Sequence, residues 1–165
     1  MNHFETGIID ITYLHENGFL PPEEREKKGP VAVIECIQEI PCNPCVSACK
    51  FDAIIMDGIN GIPHVDFAKC TGCMSCLKVC PGLAIFIQDK SKAKPSVTVP
   101  YEYLPLPVKG GTVTLLGRDG ASLGSATVKF VLAADTVSRS SLISVEFDDP
   151  ALCEQVRNIK VGVTT

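Results

Sequence analysis

The cysteines of this chain fall into two short runs, and this arrangement constrains the fold more than any other feature. The first run lies in IECIQEIPCNPCVSACKFDAI, residues 34–54, and the second lies in KCTGCMSCLKVCPGLAIFI, residues 69–87. Eight of the nine cysteines in the 165-residue chain belong to these runs. Secreted disulfide scaffolds are usually shorter, and they need an oxidising compartment. The clustering therefore favours metal ligation, and disulfide bonding remains the alternative.

The second run has the spacing Cys-x2-Cys-x2-Cys-x3-Cys, and a proline follows its last cysteine directly. In such a run, three thiolates on a tight loop hold one iron-sulfur cluster, and the fourth lies too far along the chain to complete it. Pro81 turns the chain away from that fourth ligand, Cys80. Zinc sites usually pair two Cys-x2-Cys units across a longer gap. The spacing therefore predicts an iron-sulfur site rather than a zinc site.

The first run repeats the second one, except in its entry loop. Its last three cysteines each precede their counterparts by 31 positions, whereas Cys36 precedes Cys70 by 34. The three extra residues lie around Glu39, Ile40 and Pro41. The segments behind the two runs, CKFDAIIM and CPGLAIFI, also correspond. The chain therefore contains an internal duplication with a local insertion.

On these motifs, residues 30–90 resemble the bacterial two-cluster ferredoxins, in which each half is a loop, a short helix and a strand. The resemblance implies an α+β, ferredoxin-like fold with pseudo-two-fold β-α-β repeats around two 4Fe-4S clusters. It also implies crossed ligation, in which the fourth cysteine of each run serves the other cluster. Cluster 1 is then held by Cys36, Cys42, Cys45 and Cys80. Cluster 2 is held by Cys70, Cys73, Cys76 and Cys49.

The first run departs from the pattern of these ferredoxins at three positions. The five-residue gap after Cys36 makes it the ligand that the spacing supports least, and its alternative is a buried structural cysteine at the end of a strand. Lys50 stands where these ferredoxins usually have proline, and Asp52 where they often have glycine. A cation beside Cys49 is expected to favour the reduced cluster and raise its potential. If Lys50 points to solvent instead, it changes little.

Composition and turn signals divide the chain into four predicted parts. They are an N-terminal extension (1–29), a two-cluster ferredoxin domain (30–92), a proline-rich linker (93–107) and a small β-rich docking module (108–165). The extension is expected to contain a short helix in DITYLHENG, followed by a polar connector, LPPEEREKKGP, whose charges form a solvated face. The prolines of the linker favour an extended chain, packed on a surface of this chain or of another subunit.

Strands are predicted within the ferredoxin domain at VAVIEC, AIIM, PHVD and LAIFI, with a short helix after each cysteine loop. In the C-terminal part, RDG is predicted to be a hairpin turn between the strands TVTLL and SLGSATVKFVL. SLISVEF is a third predicted strand, and PALCEQVRNI is a predicted short helix with Pro150 at its first position. We expect these elements to form a small, partly open, barrel-like module.

Other residues that often carry chemistry are isolated in the sequence. Cys153 is interpreted as an unliganded cysteine on a helix, and His3, His15 and His64 as surface or packing residues. No glycine-rich phosphate loop and no pairing of a nucleophile with a base is visible. No catalytic residue is therefore assigned to this chain.

Charge and hydropathy exclude several classes of partner. The net charge of -4 and the pI near 5.3 argue against nucleic acid as the main partner. No apolar run approaches the ~20 residues that a helix needs to cross a bilayer. The N-terminus shows no signal peptide. The sequence therefore predicts a cytoplasmic protein without membrane insertion.

Electron transfer is the function that the predicted clusters imply, and three roles are compatible with it. The chain is an electron-transfer subunit of an oxidoreductase complex, a free soluble ferredoxin, or an iron-sulfur sensor or regulator. The segments outside the ferredoxin domain carry no chemistry of their own, and docking surfaces are their simplest use. They favour the first role. A regulator is expected to have a basic DNA-binding helix, and the sequence shows none.

A second resemblance sharpens this hypothesis. GPVAVIECIQEIPCNPC, CPGLAIFI and PYEYLPLP are similar to the small 4Fe-4S proteins of flavin-dependent amine and amino-acid dehydrogenases, of the proline and hydroxyproline dehydrogenase type. This resemblance implies a hetero-oligomer in which FAD is bound by a flavin-containing dehydrogenase subunit, with a 2Fe-2S protein as a further candidate partner. The chain is then not an enzyme on its own, and it relays electrons from the flavin to an acceptor.

Overall fold

Segments rich in β-branched residues recur along the chain, and in the structure they form antiparallel strands. The computed structural model describes residues 3–136, 138 and 140–162. The strands, in chain order, are Val31–Ile34 (β1), Ile54–Ile55 (β2), His64–Val65 (β3), Ile85–Asp89 (β4), Ser96–Tyr101 (β5), Thr112–Leu116 (β6), Ser122–Leu132 (β7), Ser141–Glu146 (β8) and Asn158–Val161 (β9). The predicted strands of the ferredoxin part and the hairpin around RDG are confirmed.

The helices are all short. They are His3–Thr6 (α1), Ile11–Glu16 (α2), Glu23–Glu26 (α3), Pro44–Ala48 (α4) and Ser75–Val79 (α5), and a 3-10 helix spans Pro150–Glu154. A short helix was predicted after each cysteine loop; α4 and α5 confirm the helices, but each lies within its run and contains the third cysteine. Within the part of the chain that the structure describes, no helix combines the length and the apolar character needed to cross a membrane.

Within the described residues, one seven-stranded sheet joins β1 to the C-terminal strands. Its order is β1-β4-β5-β8-β7-β6-β9, and β2 and β3 form a separate two-stranded sheet. Along β1 and β4, Val31 lies opposite Gln88 and Ile34 lies opposite Ile85. Because β1 precedes the first cysteine run and β4 follows the second, this pairing folds the two runs onto each other.

Buried side chains form three groups around this sheet. The first joins Ile34, Ile85 and Leu77 to the cysteine loops. The second joins the C-terminal strands, where β5 and β9 pack together although three strands separate them in the sheet. The third places Leu14 of the N-terminal extension on the opposite face of β1, against Val33. The extension is therefore packed on the sheet.

Two elements differ from the expectations drawn from the sequence. The predicted helix PALCEQVRNI is wrong beyond its first turn, because its end belongs to β9, which pairs with β6 and buries Ile159. The predicted linker is extended as expected, but residues 96–101 form β5, which pairs with β4 on one side and β8 on the other. The sheet thus continues across the predicted boundary at residue 107. A separate barrel-like module is not confirmed, and the docking role of the C-terminal part stays a prediction.

The tight contact between the second cysteine loop and the start of β1 gives a first test. Gly72 has a φ of 66°, and a Cβ atom added there would lie 2.6 Å from the backbone of Pro30. Gly120, in the hairpin turn, has a φ of 78° with nothing within 4 Å of an added Cβ. We expect Gly120→Ala to destabilise the fold by about 1 kcal/mol through backbone strain alone. Gly72→Ala is expected to destabilise it considerably more, because the loop must also move away from Pro30.

Thermal unfolding of the two alanine variants, followed by circular dichroism, measures this difference. Equal decreases in the midpoint temperature would contradict the close contact at Gly72.

Candidate metal centre

The two cysteine runs have the same local structure. In each run the third cysteine lies within a five-residue helix, Cys45 in α4 and Cys76 in α5. In each run the fourth cysteine follows the helix directly, as Cys49 and Cys80. The two helices pack against each other. The duplication seen in the sequence is therefore also a duplication of local structure.

A left-handed residue after each helix turns an amide toward the sulfur of the fourth cysteine. Asp52 has a φ of 48° and Leu83 a φ of 53°. The next amides donate hydrogen bonds to sulfur, Ala53 N to Cys49 Sγ at 3.3 Å and Ala84 N to Cys80 Sγ at 3.5 Å. Such amides stabilise a thiolate and influence the potential of a cluster that it binds. The aspartate thus occupies a backbone conformation in which aspartate is several-fold enriched.

One set of thiols lines an apolar cavity. The cavity is lined by Cys49, Cys70, Cys73 and Cys76 together with apolar neighbours that include Ala32, Phe51, Ile54 and Ile87. Ala32 N also donates a hydrogen bond to Cys70 Sγ at 3.4 Å. The structure therefore brings Cys49 of the first run together with three cysteines of the second run.

The other four cysteines of the runs also lie near one another. Burial raises the pKa of the Cys36 thiol, and the charges of Cys80 and Cys42 raise it further. Burial likewise raises the pKa of Cys45, with smaller contributions from Cys80, Cys42 and Cys36. Cys80 of the second run thus acts on Cys36 and Cys45 of the first run, as Cys42 does, and it packs with both in one core group. These are the members of the set predicted for cluster 1.

The thiols of the set that lines the cavity differ in how readily they ionise. Burial raises the pKa of Cys76 to about 12. At Cys73, the exposed member of this set, burial acts in the same direction, but hydrogen bonds with Ser75 and Thr71 outweigh it and lower the pKa. Thiolates are the form that binds metal, and the positive charge of bound iron offsets the cost of ionising them in a buried site.

The donor set fits a 4Fe-4S cluster. Four thiols around a mainly apolar cavity, with amides directed at sulfur, are the ligands and surroundings that such clusters use. Within the described residues, no three His, Cys, Asp or Glu side chains converge closely enough to hold a single metal ion. The assignment of individual ligands to two clusters stays a prediction.

The isolated residues lie outside these sets. Cys153 is buried in the C-terminal core, 4.0 Å from Ser96 O, and burial raises its pKa to about 12. His15 lies 2.9 Å from Glu154, and the ring of His64 stacks on Phe19 at 5.0 Å. Cys153, His15 and His64 therefore contact residues outside the two cysteine sets. Lys50 is exposed, so its suggested influence on Cys49 stays a prediction.

Charged residues lie beside the first cysteine of each run, Cys36 and Cys70 (the entry cysteines), and the sequence patterns do not identify them. Arg25 donates a hydrogen bond to Cys70 O at 2.6 Å, although its segment is predicted to be a solvated face. Glu35, directly before Cys36, is buried and pairs with Arg118 and Arg157. Burial acts to raise the pKa of the Glu35 carboxyl, but the two arginines outweigh it and hold that pKa below its usual value. A lone glutamate at the end of an apolar strand is the signal that could have indicated a buried pair.

Comparison with known proteins agrees with this geometry over part of the chain. Residues 35–85 match the family described as 4Fe-4S dicluster domain. One component of the Na(+)-translocating ferredoxin:NAD(+) oxidoreductase complex of Acetobacterium woodii is 49% identical over 37 residues, which are 22% of this chain and 11% of the relative. An uncharacterized ferredoxin of Methanocaldococcus jannaschii is 39% identical over 70 residues, 41% of this chain and 43% of the relative. No solved structure matches the chain.

The chain thus spans less than half the length of each of these two relatives. The matched segment contains all eight cysteines of the two runs, with α4 and α5 between the paired strands. Residues 35–85 therefore match a 4Fe-4S dicluster domain in both sequence and local structure, which supports iron-sulfur cluster binding and electron transfer by this part of the chain.

Proposed function

We propose that this chain is the electron-transfer subunit of an oxidoreductase complex. In this proposal it relays electrons between a flavin-containing dehydrogenase subunit and an acceptor, and it has no active site of its own. The observation that carries the proposal is that two neighbouring four-thiol sets lie next to the β1–β4 pair of a larger sheet. A bound 4Fe-4S cluster exchanges one electron at a time, and the protein supplies its ligands, its surroundings and its access to a partner.

The contact between the two sets supports a path through the chain. Cys45 of one set and Cys76 of the other are both buried, and the charge of Cys45 contributes to the raised pKa of Cys76. These two ligands therefore lie where the sets adjoin. Electron exchange between two bound clusters requires such proximity, and burial at this point keeps water away from the path.

The exposure of the thiols supports one site at which electrons from a partner enter the chain. Cys73 is the only exposed cysteine within the described residues. The side chain of Phe51, which lines the same cavity, is 46% exposed, and Ile55 nearby in the chain is 57% exposed. An apolar surface beside an accessible ligand is suited to contact with another protein. We therefore place the contact with the electron-donating partner at the set that contains Cys73.

Two similarities support the kind of complex, at different levels of detail. The relative from Acetobacterium woodii is by its name a subunit of a ferredoxin:NAD(+) oxidoreductase complex, which supports assembly with other subunits. The resemblance to subunits of proline- and hydroxyproline-type dehydrogenases supports a partner that carries FAD and oxidises an amine or amino acid. A free carrier is the alternative role, and the first experiment separates the two.

Anaerobic purification of the native protein at low salt tests the proposed role. We expect other chains to co-purify, with flavin in the complex and about eight irons per copy of this chain from two four-iron clusters. Iron, sulfide and flavin are measured on the same sample. A monomer with the same iron content and no flavin would establish the free carrier instead.

Serine substitution at matched positions tests the crossed ligand sets. We expect Cys49→Ser to alter the same paramagnetic signals as Cys73→Ser, because both residues belong to the predicted cluster 2. Cys80→Ser is expected to alter the same signals as Cys42→Ser. Electron paramagnetic resonance of the dithionite-reduced variants makes the assignment. If Cys49→Ser instead resembles Cys42→Ser, each run holds its own cluster and the crossed assignment is wrong.

Exchange of the residues after the fourth cysteines tests the suggested role of Lys50. Lys50→Pro is expected to lower the potential of cluster 2, and Pro81→Lys to raise that of cluster 1, because a cation favours the reduced cluster. Both side chains are exposed, so each change should correspond to less than about 1 kcal/mol. Redox titration of both clusters measures the shifts. Unchanged potentials in both variants would exclude tuning at this position.

A further inference from the structure

We infer that the segments on either side of the dicluster domain brace its two entry loops, one segment for each cluster. Arg25, from the N-terminal extension, fixes the loop that begins cluster 2. Arg118 and Arg157, from the C-terminal part, fix the end of β1 that leads into cluster 1. This inference rests on the ligand sets proposed above, in which Cys70 and Cys36 are the first ligands of their clusters.

Arg25 gathers four backbone carbonyls around one guanidinium group. Its Nε donates to Phe67 O at 2.8 Å, and its Nη1 donates to Gly29 O at 3.0 Å. Its Nη2 donates to Pro30 O at 2.8 Å and to Cys70 O at 2.6 Å. These bonds join the end of the extension, the start of β1 and the loop up to Cys70. All four acceptors are main-chain atoms, so the bonds fix the course of the backbone.

The bonds of Arg25 act directly on the first ligand of the second run. Cys70 is held at its carbonyl by Arg25, and its Sγ accepts a hydrogen bond from Ala32 N at 3.4 Å. Both contacts come from outside the second run. A planar guanidinium presents five donors in a fixed fork, which a lysine ammonium cannot reproduce.

Glu35 provides the corresponding attachment for the first run. Its amide donates to Ala84 O at 2.8 Å, and its carboxylate accepts hydrogen bonds from Arg118 Nε at 2.9 Å and from Arg157 Nε at 2.7 Å. Arg118 Nη2 also donates to the second carboxylate oxygen, which makes this pair bidentate. Cys36 is the next residue in the chain. The two arginines thus hold the last residue before the first ligand.

The arginines are themselves anchored in the C-terminal part. Arg118 donates to Glu154 O at 2.7 Å. Arg157 donates to Cys153 O at 3.0 Å and to Val156 O at 2.6 Å, and its side chain is 5% exposed. Removing one partner from a buried charge pair costs about 3–5 kcal/mol, because the other charge remains buried without compensation. The position of Glu35 is therefore strongly tied to the C-terminal strands.

The longer first loop explains why such a tether is needed there. Gln38, Glu39, Ile40 and Pro41 are exposed. Between Cys36 and Cys42, only Ile37 is partly buried, where it packs against the core group that contains Leu14. Cys36 is then positioned mainly from its N-terminal side, through Glu35 and β1. Residues that orient a ligand from behind commonly change metal affinity about 10–100-fold when they are replaced.

Reciprocal substitutions distinguish two separate braces from a general effect on stability. Arg25→Gln and Arg118→Gln are made in the full chain, and iron release to a chelator is followed anaerobically for each cluster. The paramagnetic signals of the two clusters are assigned beforehand with Cys42→Ser and Cys73→Ser. We expect Arg25→Gln to accelerate release from cluster 2 about tenfold or more, with cluster 1 unchanged. We expect Arg118→Gln to accelerate release from cluster 1 to a similar extent, with cluster 2 unchanged.

Two further variants control for charge and for stability. Arg25→Lys keeps the charge without the fork, and we expect it to release iron from cluster 2 nearly as fast as Arg25→Gln. Val113→Ala weakens the C-terminal core, where Val113 is buried at 3% exposure, without touching either brace. It should leave both release rates unchanged.

The outcomes separate this inference from the proposed function. Equal acceleration of both clusters by either arginine variant, unchanged rates in both, or full rescue by Arg25→Lys would overturn the inference. A wild-type protein that holds no clusters after anaerobic reconstitution would overturn the proposed function itself.

Discussion

The antiparallel pairing of β1 with β4 is the contact on which the rest of the structure depends. β1 ends at Ile34, just before Glu35 and Cys36, and β4 begins a few residues after Cys80, so their pairing brings the first cysteine of one run toward the last cysteine of the other. The same pairing starts the seven-stranded sheet, because β4 continues through β5 and β8 to the C-terminal strands. One ladder of hydrogen bonds thus joins the metal centre to the rest of the fold.

This dependence also explains why the cysteine sets are formed from both runs. Within one run, the fourth cysteine follows a helix and lies beyond the loop that carries the first three. The packing of α4 on α5 and the pairing of β1 with β4 then place that cysteine beside the other loop. The left-handed residues Asp52 and Leu83 complete the arrangement by directing an amide at each of these sulfurs. The local structure of each run and the packing of the two runs on each other therefore both place the fourth cysteine of one run beside the other run.

Much of the metal centre was predictable from the sequence because its determinants are local. The spacing of the cysteines and the repeat of 31 positions are visible without a structure, and they carry the resemblance to two-cluster ferredoxins that implied the crossed sets. The structure brings one of these sets, Cys49, Cys70, Cys73 and Cys76, around a common cavity. The C-terminal end was harder to predict. Pro150 correctly indicated a helix start, but one 3-10 turn is followed by β9, whose four residues give too short an alternation to be recognised. The prolines of residues 93–107 likewise obscured β5, in which Val97 and Val99 are buried.

The contacts of Arg25 with Cys70, and of Arg118 and Arg157 with Glu35, were not predictable, because they join residues 45 to 122 positions apart in the sequence. Nothing local distinguishes an arginine that binds four carbonyls from one that faces solvent. Their placement nonetheless follows a physical rule: a charged group is buried only where hydrogen bonds compensate for its loss of water. Beside Cys70 and Cys36, the arginines that make these hydrogen bonds come from segments outside the dicluster domain. The segments added to the domain are therefore part of the structure that supports its ligands, and a chain reduced to residues 35–85 would lack all three arginines.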